Sequence, residues 1–259
     1  MTEVATSFRE LISRVDPLPG ELRRAAGHAA SIKTRLESSF RLKKFITVGS
    51  HARQTAIRWH SDVDHFAVFA RNEFRRGDRY TRSTRVLDNI RDDLAARFWQ
   101  TPVSRDGPAV VVRFGGGDYS VDVAPAIFWE MNADKWPIYY MPDGAGDWMR
   151  TSPELHNRFI RNANARSGQK LRRTVQLIKY WRECRSPRVP VSSFYLDLLI
   201  AEHRVCEGAK SYSQCLAEAL RRTLRAGRWP RTGRVGGGCA APHGPAPHRA
   251  GLPRKPPRA

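Results

Sequence analysis

Apolar residues at Val4, Phe8, Leu11, Ile12 and Val15 recur at steps of three and four, which predicts an amphipathic helix over 3–15 closed by Asp16-Pro17. A second helix is predicted from Glu21 to Phe40, with Leu22, Ala25, Ala26, Ala29, Ile32, Lys33 and Leu36 on its inner face. The pattern then changes period. Phe45-Ile46-Thr47-Val48 is a short apolar run closed by Gly49-Ser50, and the triplet Asp62-Val63-Asp64 opens another, Val63 to Ala70. Two strands flanking a short turn and helix are expected. A long charged helix follows from Asp78 to Trp99, with Val86, Leu87, Ile90, Leu94 and Phe98 inward, stopped by Thr101-Pro102. Its arginines (Arg79, Arg82, Arg85, Arg91, Arg97) alternate with acids and read as a solvated face rather than a binding stripe. The runs Ala109 to Phe114 and Tyr119 to Phe128, separated by Gly115-Gly116-Gly117-Asp118, read as a hairpin. A last strand is expected over 136–142, with the acidic loop 143–147 as a boundary. Beyond Ser152-Pro153 the period is helical, with helices expected over 153–166, 168–184, 193–206 and 211–224.

This gives an α/β (α+β) chain in three parts. Residues 1–150 form a core with leading helices and a mixed sheet, 151–225 an all-helical lobe, and 226–259 a disordered basic tail. In the tail, 26 of 34 residues are Gly, Ala, Arg or Pro, too few apolar groups to offset the entropy of ordering. Those four amino acids share GC-rich codons, so a frameshifted or truncated end is expected, against the alternative of a basic tail that recruits nucleic acid.

Composition changes the picture in two ways. The formal net charge is +20, but from Arg221 onward there are ten Lys or Arg and no acid, so half of the surplus lies at the end of the chain. The remainder suits binding of nucleoside triphosphates, and equally a nucleic-acid-binding surface. No stretch approaches about eighteen uninterrupted apolar residues, and the first ten residues carry an early acid and no apolar core. Neither a membrane span nor a signal peptide is indicated, and a cytoplasmic protein is expected. Cys184, Cys206, Cys215 and Cys239 show no metal-ligand spacing and read as reduced thiols.

The candidate chemistry lies in Gly49 to Asp64. In an extended strand, side chains at i and i+2 leave the same face about 6.5–7 Å apart, so Asp62 and Asp64 point together while Val63 points to the core. Paired carboxylates suit Mg²⁺, which is held by one or two acids plus substrate phosphates. Gly49 permits close backbone approach, and Ser50 adds a hydroxyl beside backbone N–H groups. Each half alone also reads as a plain turn or a solvated strand edge. Asp122 stands inside an apolar strand, with Tyr119, Val121 and Val123 on one face and Ser120 and Asp122 on the other. It is either an edge acid facing water or a third carboxylate of the same site.

Gly49-Ser50, Thr55, Arg58 and Ser61-Asp62-Val63-Asp64, in that order between two apolar runs, resemble the signature of the DNA polymerase β-like nucleotidyltransferases. The branch most similar is that of the cGAS/DncV-like nucleotidyltransferases and oligoadenylate synthetases. Val121-Asp122-Val123-Ala124-Pro125 is similar to the family's third-aspartate strand, Leu177-Ile178-Lys179-Tyr180-Trp181 to a helix whose lysine reaches the triphosphate, and Val191-Ser192-Ser193-Phe194-Tyr195-Leu196 to a Ser-rich helix start facing base and phosphates. The resemblance implies Asp62, Asp64 and Asp122 as catalytic residues holding two Mg²⁺ (or Mn²⁺) ions. Gly49, Ser50, Lys179, Ser193 and Tyr195 are implied as the nucleotide contacts, although Phe194 or Tyr195 read equally well as core aromatics. The implied activity joins nucleoside triphosphates into a cyclic or linear oligonucleotide messenger, with pyrophosphate released, in bacterial anti-phage signalling. An activating nucleic acid or protein is the further partner. The competing readings are a terminal nucleotidyltransferase acting on RNA, and an inactive protein that binds nucleotide or nucleic acid.

Overall fold

The computed structural model describes residues 3–59, 62–77, 79–115 and 119–226. In chain order the elements are α1 (Glu3–Val15), α2 (Pro19–Ser39), β1 (Leu42–Thr47), α3 (Gly49–Arg53), β2 (Val63–Phe69), β3 (Arg75–Arg76), β4 (Arg79–Tyr80) and α4 (Ser83–Arg97). There follow β5 (Val103–Asp106), β6 (Ala109–Val112), β7 (Val121–Met131), β8 (Pro137–Pro142), β9 (Trp148–Thr151), α5 (Pro153–Arg166), α6 (Lys170–Glu183), α7 (Ser193–Glu202) and α8 (Tyr212–Ala226). The fold is mixed α/β with a mixed sheet, as the sequence leads one to expect. Of the expected tail, only Ala226 is described, at the end of α8; 227–259 lie outside the described residues, as do Ser61, Asp78 and the Gly116-Gly117-Asp118 part of the glycine turn. Among the described residues no helix is long and apolar enough to cross a membrane. Cys206 and Cys215 are buried free thiols and Cys184 is exposed.

The described chain divides into two compact units, and the division differs from a single cut near 150. Residues 27–46 and 65–152 form a sheet unit, while 3–26, 47–64 and 153–226 form a helical unit that takes in α1 and the Gly49–Asp64 segment.

In the sheet unit the strand order is β1-β2-β7-β6-β5, with β8 paired to β7 and β9 to β8. The long β7 serves two partners: Val121 to Val123 lie opposite Val112 to Val110 of β6, and Ile127 to Met131 opposite β8. Ile32, Leu36, Val86, Leu87, Ile90, Leu94, Val110, Val112, Val121 and Val123 pack in one core, each fully buried. On α2 the buried positions are Ala25, Ala29, Ile32 and Leu36; Leu22, Ala26 and Lys33, expected inward, are exposed.

Two differences have local causes. The charged helix starts at Ser83 rather than Asp78, because Arg75–Arg76 and Arg79–Tyr80 pair antiparallel and Thr81 N–H donates to the Phe74 carbonyl at 2.8 Å. The acidic loop 143–147 is a hairpin connection between β8 and β9, not a boundary. Asp143 Oδ1 accepts the N–H groups of Ala145, Gly146 and Asp147 at 2.8, 3.0 and 3.0 Å.

The helical unit has its own core, in which Ile160, Ala163, Leu171, Val175, Ile178, Leu196, Ile200 and Ala219 pack together. Arg173 and Gln176 of α6 both donate to Asp16, at 2.6 and 2.7 Å to Oδ1, which fastens the end of α1 to α6. Gln176 also donates to the carbonyl of Ala56 at 2.8 Å and Arg172 to that of Gln54 at 3.2 Å, so α6 carries the segment after α3. The helix expected over 193–206 ends at Glu202, where Arg204 takes a left-handed φ of 50°.

Candidate functional site

The Gly-Ser segment is the one-and-a-half-turn helix α3, and it sits directly against the aspartates. Val48 N–H donates to the Asp64 carbonyl at 2.9 Å, which brings Gly49 beside the Asp64 side chain. Gly49 has φ +64, and a Cβ built there would lie 1.8 Å from Asp64 Oδ2. Only glycine fits. The residue is required twice, by backbone conformation and by the carboxylate that occupies the space a side chain would fill.

Asp64 is half-buried, and this desolvation pushes its carboxyl above the usual carboxylate range; the charge of Asp62 pushes the same way. Arg53, Lys179 and the backbone N–H of Ser50 act against them and favour the ionised form. Asp62 is exposed just before β2, and Val63 between the two acids is buried, as alternation along a strand requires.

A second set of charges lies behind this pair. Asp197 of α7, 0% exposed, accepts Arg53 Nε at 2.7 Å and Thr55 Oγ1 at 3.0 Å on Oδ2, and its Oδ1 pairs with Lys179 Nζ at 2.8 Å. Lys179 Nζ also donates to Thr55 Oγ1 at 3.0 Å and to the Thr55 carbonyl at 3.2 Å. Lys179, whose ammonium the resemblance implies on a triphosphate, turns it here to Asp197 and Thr55. The side chain is 1% exposed, and its donors are taken up by Asp197 and Thr55. Burial lowers its pKa and Asp197 opposes the shift. Trp181 is only half-buried, whereas Gln176 and Lys179 share the buried side of α6 with Val175 and Ile178.

Ser192 caps α7, its Oγ accepting Tyr195 N–H at 3.1 Å. Ser193 Oγ accepts Arg182 Nη2 at 3.1 Å, and Tyr195 is 44% exposed. Phe194 lies under the Arg53 guanidinium, 5.2 Å from ring centroid to Cζ, and against His156 at 5.3 Å between centroids. Phe194 is therefore a packing aromatic and Tyr195 a surface one. Gly49, Ser50, Asp62, Asp64, Lys179, Ser193 and Tyr195 all belong to the helical unit. Asp122 belongs to the sheet unit, on β7 opposite Val111, where Ser120 Oγ donates to its Oδ1 at 3.3 Å. Arg53 and Asp197 were not singled out from sequence.

Among the described residues no three His, Cys, Asp or Glu side chains form a ready cage for a metal ion. The donor set in the helical unit is the Asp62 and Asp64 pair, and it fits a hard divalent cation: both ligands are carboxylates, and a cation would relieve the cost of ionising a half-buried acid beside a second acid.

The sequence profile of the Second Messenger Oligonucleotide or Dinucleotide Synthetase domain matches residues 1–164, well over half of the chain. The chain belongs to this family. A probable cyclic nucleotide synthase of Bacillus cereus (strain VD146) is 24% identical over 190 residues, covering 62% of this chain and 56% of the relative. The cyclic AMP-AMP-AMP synthase of Escherichia coli (strain MS 115-1) is 27% identical over 169 residues, covering 63% of this chain and 50% of the relative. The chain thus spans about half the length of the curated relatives it matches. In fold, this synthetase-family chain is similar to the solved structure of E. coli MS115-1 CdnC with ATP. The TM-score is 0.63 and the identity 22%, with 86% of this chain and 71% of that chain covered.

Proposed function

We propose that the protein joins nucleoside triphosphates into a cyclic or linear oligonucleotide second messenger and releases pyrophosphate, in a reaction that depends on Mg²⁺ or Mn²⁺. The observation that carries this reading is the Asp62 and Asp64 pair, with Asp64 fitted over a left-handed Gly49, in a chain of the synthetase family. The two relatives, a probable cyclic nucleotide synthase and a cyclic AMP-AMP-AMP synthase, support the same chemistry.

Two divalent cations, if bound, would supply charge neutralisation at the phosphates and at the attacking hydroxyl. Asp62 and Asp64 are the residues proposed to hold both, and Asp122 the one near the attacking hydroxyl, where it accepts the proton. Support for Asp122 is the similarity of Val121-Asp122-Val123-Ala124-Pro125 to the family's third-aspartate strand. Gly49 and Ser50 are proposed to receive phosphate oxygens, and Ser193 and Tyr195 to meet the nucleotide from the start of α7. Tyr195 is exposed, as a side chain that stacks on a base has to be. The protein's share of the work is position and charge rather than covalent chemistry. A role in bacterial anti-phage signalling, and an activating nucleic acid or protein, belong to the same proposal.

The test is to incubate the full chain with Mg²⁺ or Mn²⁺ and each pair of labelled nucleoside triphosphates, then resolve the products before and after phosphatase. New phosphatase-resistant nucleotide species are expected. Their absence under every pairing and both metals contradicts the reading.

A further inference from the structure

Burying three charges is a poor route to stability, because desolvation offsets most of what pairing returns. Yet Arg53, Lys179 and Asp197 are buried together, with side chains 6%, 1% and 0% exposed, and they come from α3, α6 and α7. Asp197 is the shared partner, since one carboxylate oxygen takes Arg53 and Thr55 and the other takes Lys179. The segment from α3 to Thr55 is thereby tied to two helices by a single side chain. Two cations against one carboxylate leave a surplus of one positive charge, and both cations act electrostatically on Asp64.

We propose that Asp197 is a positioning residue for the Asp62 and Asp64 pair: it engages the Arg53 and Lys179 side chains so that their charge supports Asp64 without either cation pairing with it. The inference rests on the proposed role of that pair as cation ligands. Without the Asp197 charge, two buried cations are left with one acid nearby, and Arg53 turns to Asp64, competing with the divalent ion. The Arg53 guanidinium also lies over Phe194, two positions after Ser192, the cap of α7, so a shift of Arg53 carries to the start of that helix.

The test uses the full chain and Mn²⁺ alone, read by the electron paramagnetic resonance signal of the free ion, so that it does not depend on any product. Wild-type protein is expected to bind Mn²⁺, with binding lost in Asp62→Asn; wild-type protein that binds none overturns the proposal. Asp197→Asn is expected to bind about 10–100-fold more weakly, the range seen when groups behind a metal ligand are removed. Adding Arg53→Met returns the surplus to one positive charge and removes the competing cation, so the double variant recovers most of the loss. A purely structural Asp197 predicts the reverse: the double variant is no better than the single one, and a folded Asp197→Asn binds Mn²⁺ as the wild type does. Either result overturns the proposal. If Asp197→Asn does not fold, Asp197→Glu carries the test, because it keeps the charge and displaces it by one methylene. Weaker Mn²⁺ binding then supports the proposal and unchanged binding overturns it. Nucleotide products bear on the other claim: their absence from a wild type that shows this Mn²⁺ pattern removes the synthetase reading and leaves the role of Asp197 supported.

Discussion

Replacing Gly49 by alanine tests the fit between α3 and Asp64 with a single methyl group. The new Cβ would stand 1.8 Å from Asp64 Oδ2, 2.6 Å from Cγ and 2.9 Å from Cβ, where side-chain carbons essentially never approach closer than 3.0 Å. Relief moves the carboxylate by about 1.2 Å, and a misplacement of about 1 Å at a reacting centre costs on the order of 10²-fold in rate. The backbone adds its own cost, about 1–2 kcal/mol for an L-residue held at positive φ. For a chain of this size that corresponds to a fall in melting temperature of about 2–8 °C. The assay is paired: thermal melting, and initial rates of nucleotide incorporation with the divalent ion in excess. A cycle with Asp64→Ala separates the two contributions, because that change removes the two closest atoms and leaves the backbone cost. Gly49→Ala then costs less stability in the Asp64→Ala background than in wild type. Wild-type melting and wild-type turnover in Gly49→Ala would refute the geometry.

Three further outcomes follow from the site. Burial raises the Asp64 pKa, so the fold favours its protonated form, and this contribution to stability is present at low pH and is lost as pH rises through the folded pKa. Asp64→Asn should therefore melt higher than wild type at neutral pH while incorporation falls by about 10²–10⁴-fold, the cost of losing a metal contact worth several kcal/mol. Asp122→Ala should retain metal-dependent nucleotide binding, measured by calorimetry, and lose product formation; loss of binding together with melting temperature would mark a structural acid instead. Burial lowers the His156 pKa, so its contribution is present above the unfolded value of about 6.5 and is lost as pH falls toward the folded pKa. His156→Phe should flatten the decline of melting temperature below about pH 6.5, whereas an unchanged decline would place the acid sensitivity elsewhere.

The long elements were legible because their apolar spacing is strong. Glu3–Val15, the β2 run and the inward face of α4 at Val86, Leu87, Ile90 and Leu94 follow directly from period and alternation. The short strands were not. β5 has four residues, two of them Ser104 and Arg105, and β3 and β4 have two each, so their pairing depends on partners rather than on pattern. β9 lay behind a Gly- and Asp-rich stretch that resembles a linker until Asp143 is seen closing it. Of the site, the aspartates and the glycine carried local signals. The Arg53 and Asp197 pair did not, because 144 positions separate its members. A trace of Lys179's burial was present all the same: Gln176 and Lys179 stand one helical turn apart, beside Val175 and Ile178, on the stripe that α6 turns inward.

The role proposed for Asp62 and Asp64 is to serve the joining of nucleoside triphosphates. It is tested most directly by measuring pyrophosphate release and nucleotide linkage together, in wild type and in the Asp62→Asn/Asp64→Asn double variant, with melting curves to show that both are folded. One pyrophosphate is expected per linkage formed in wild type, dependent on added divalent ion, and neither product in the folded double variant. Linkage and pyrophosphate release near the wild-type rate in that variant would contradict it.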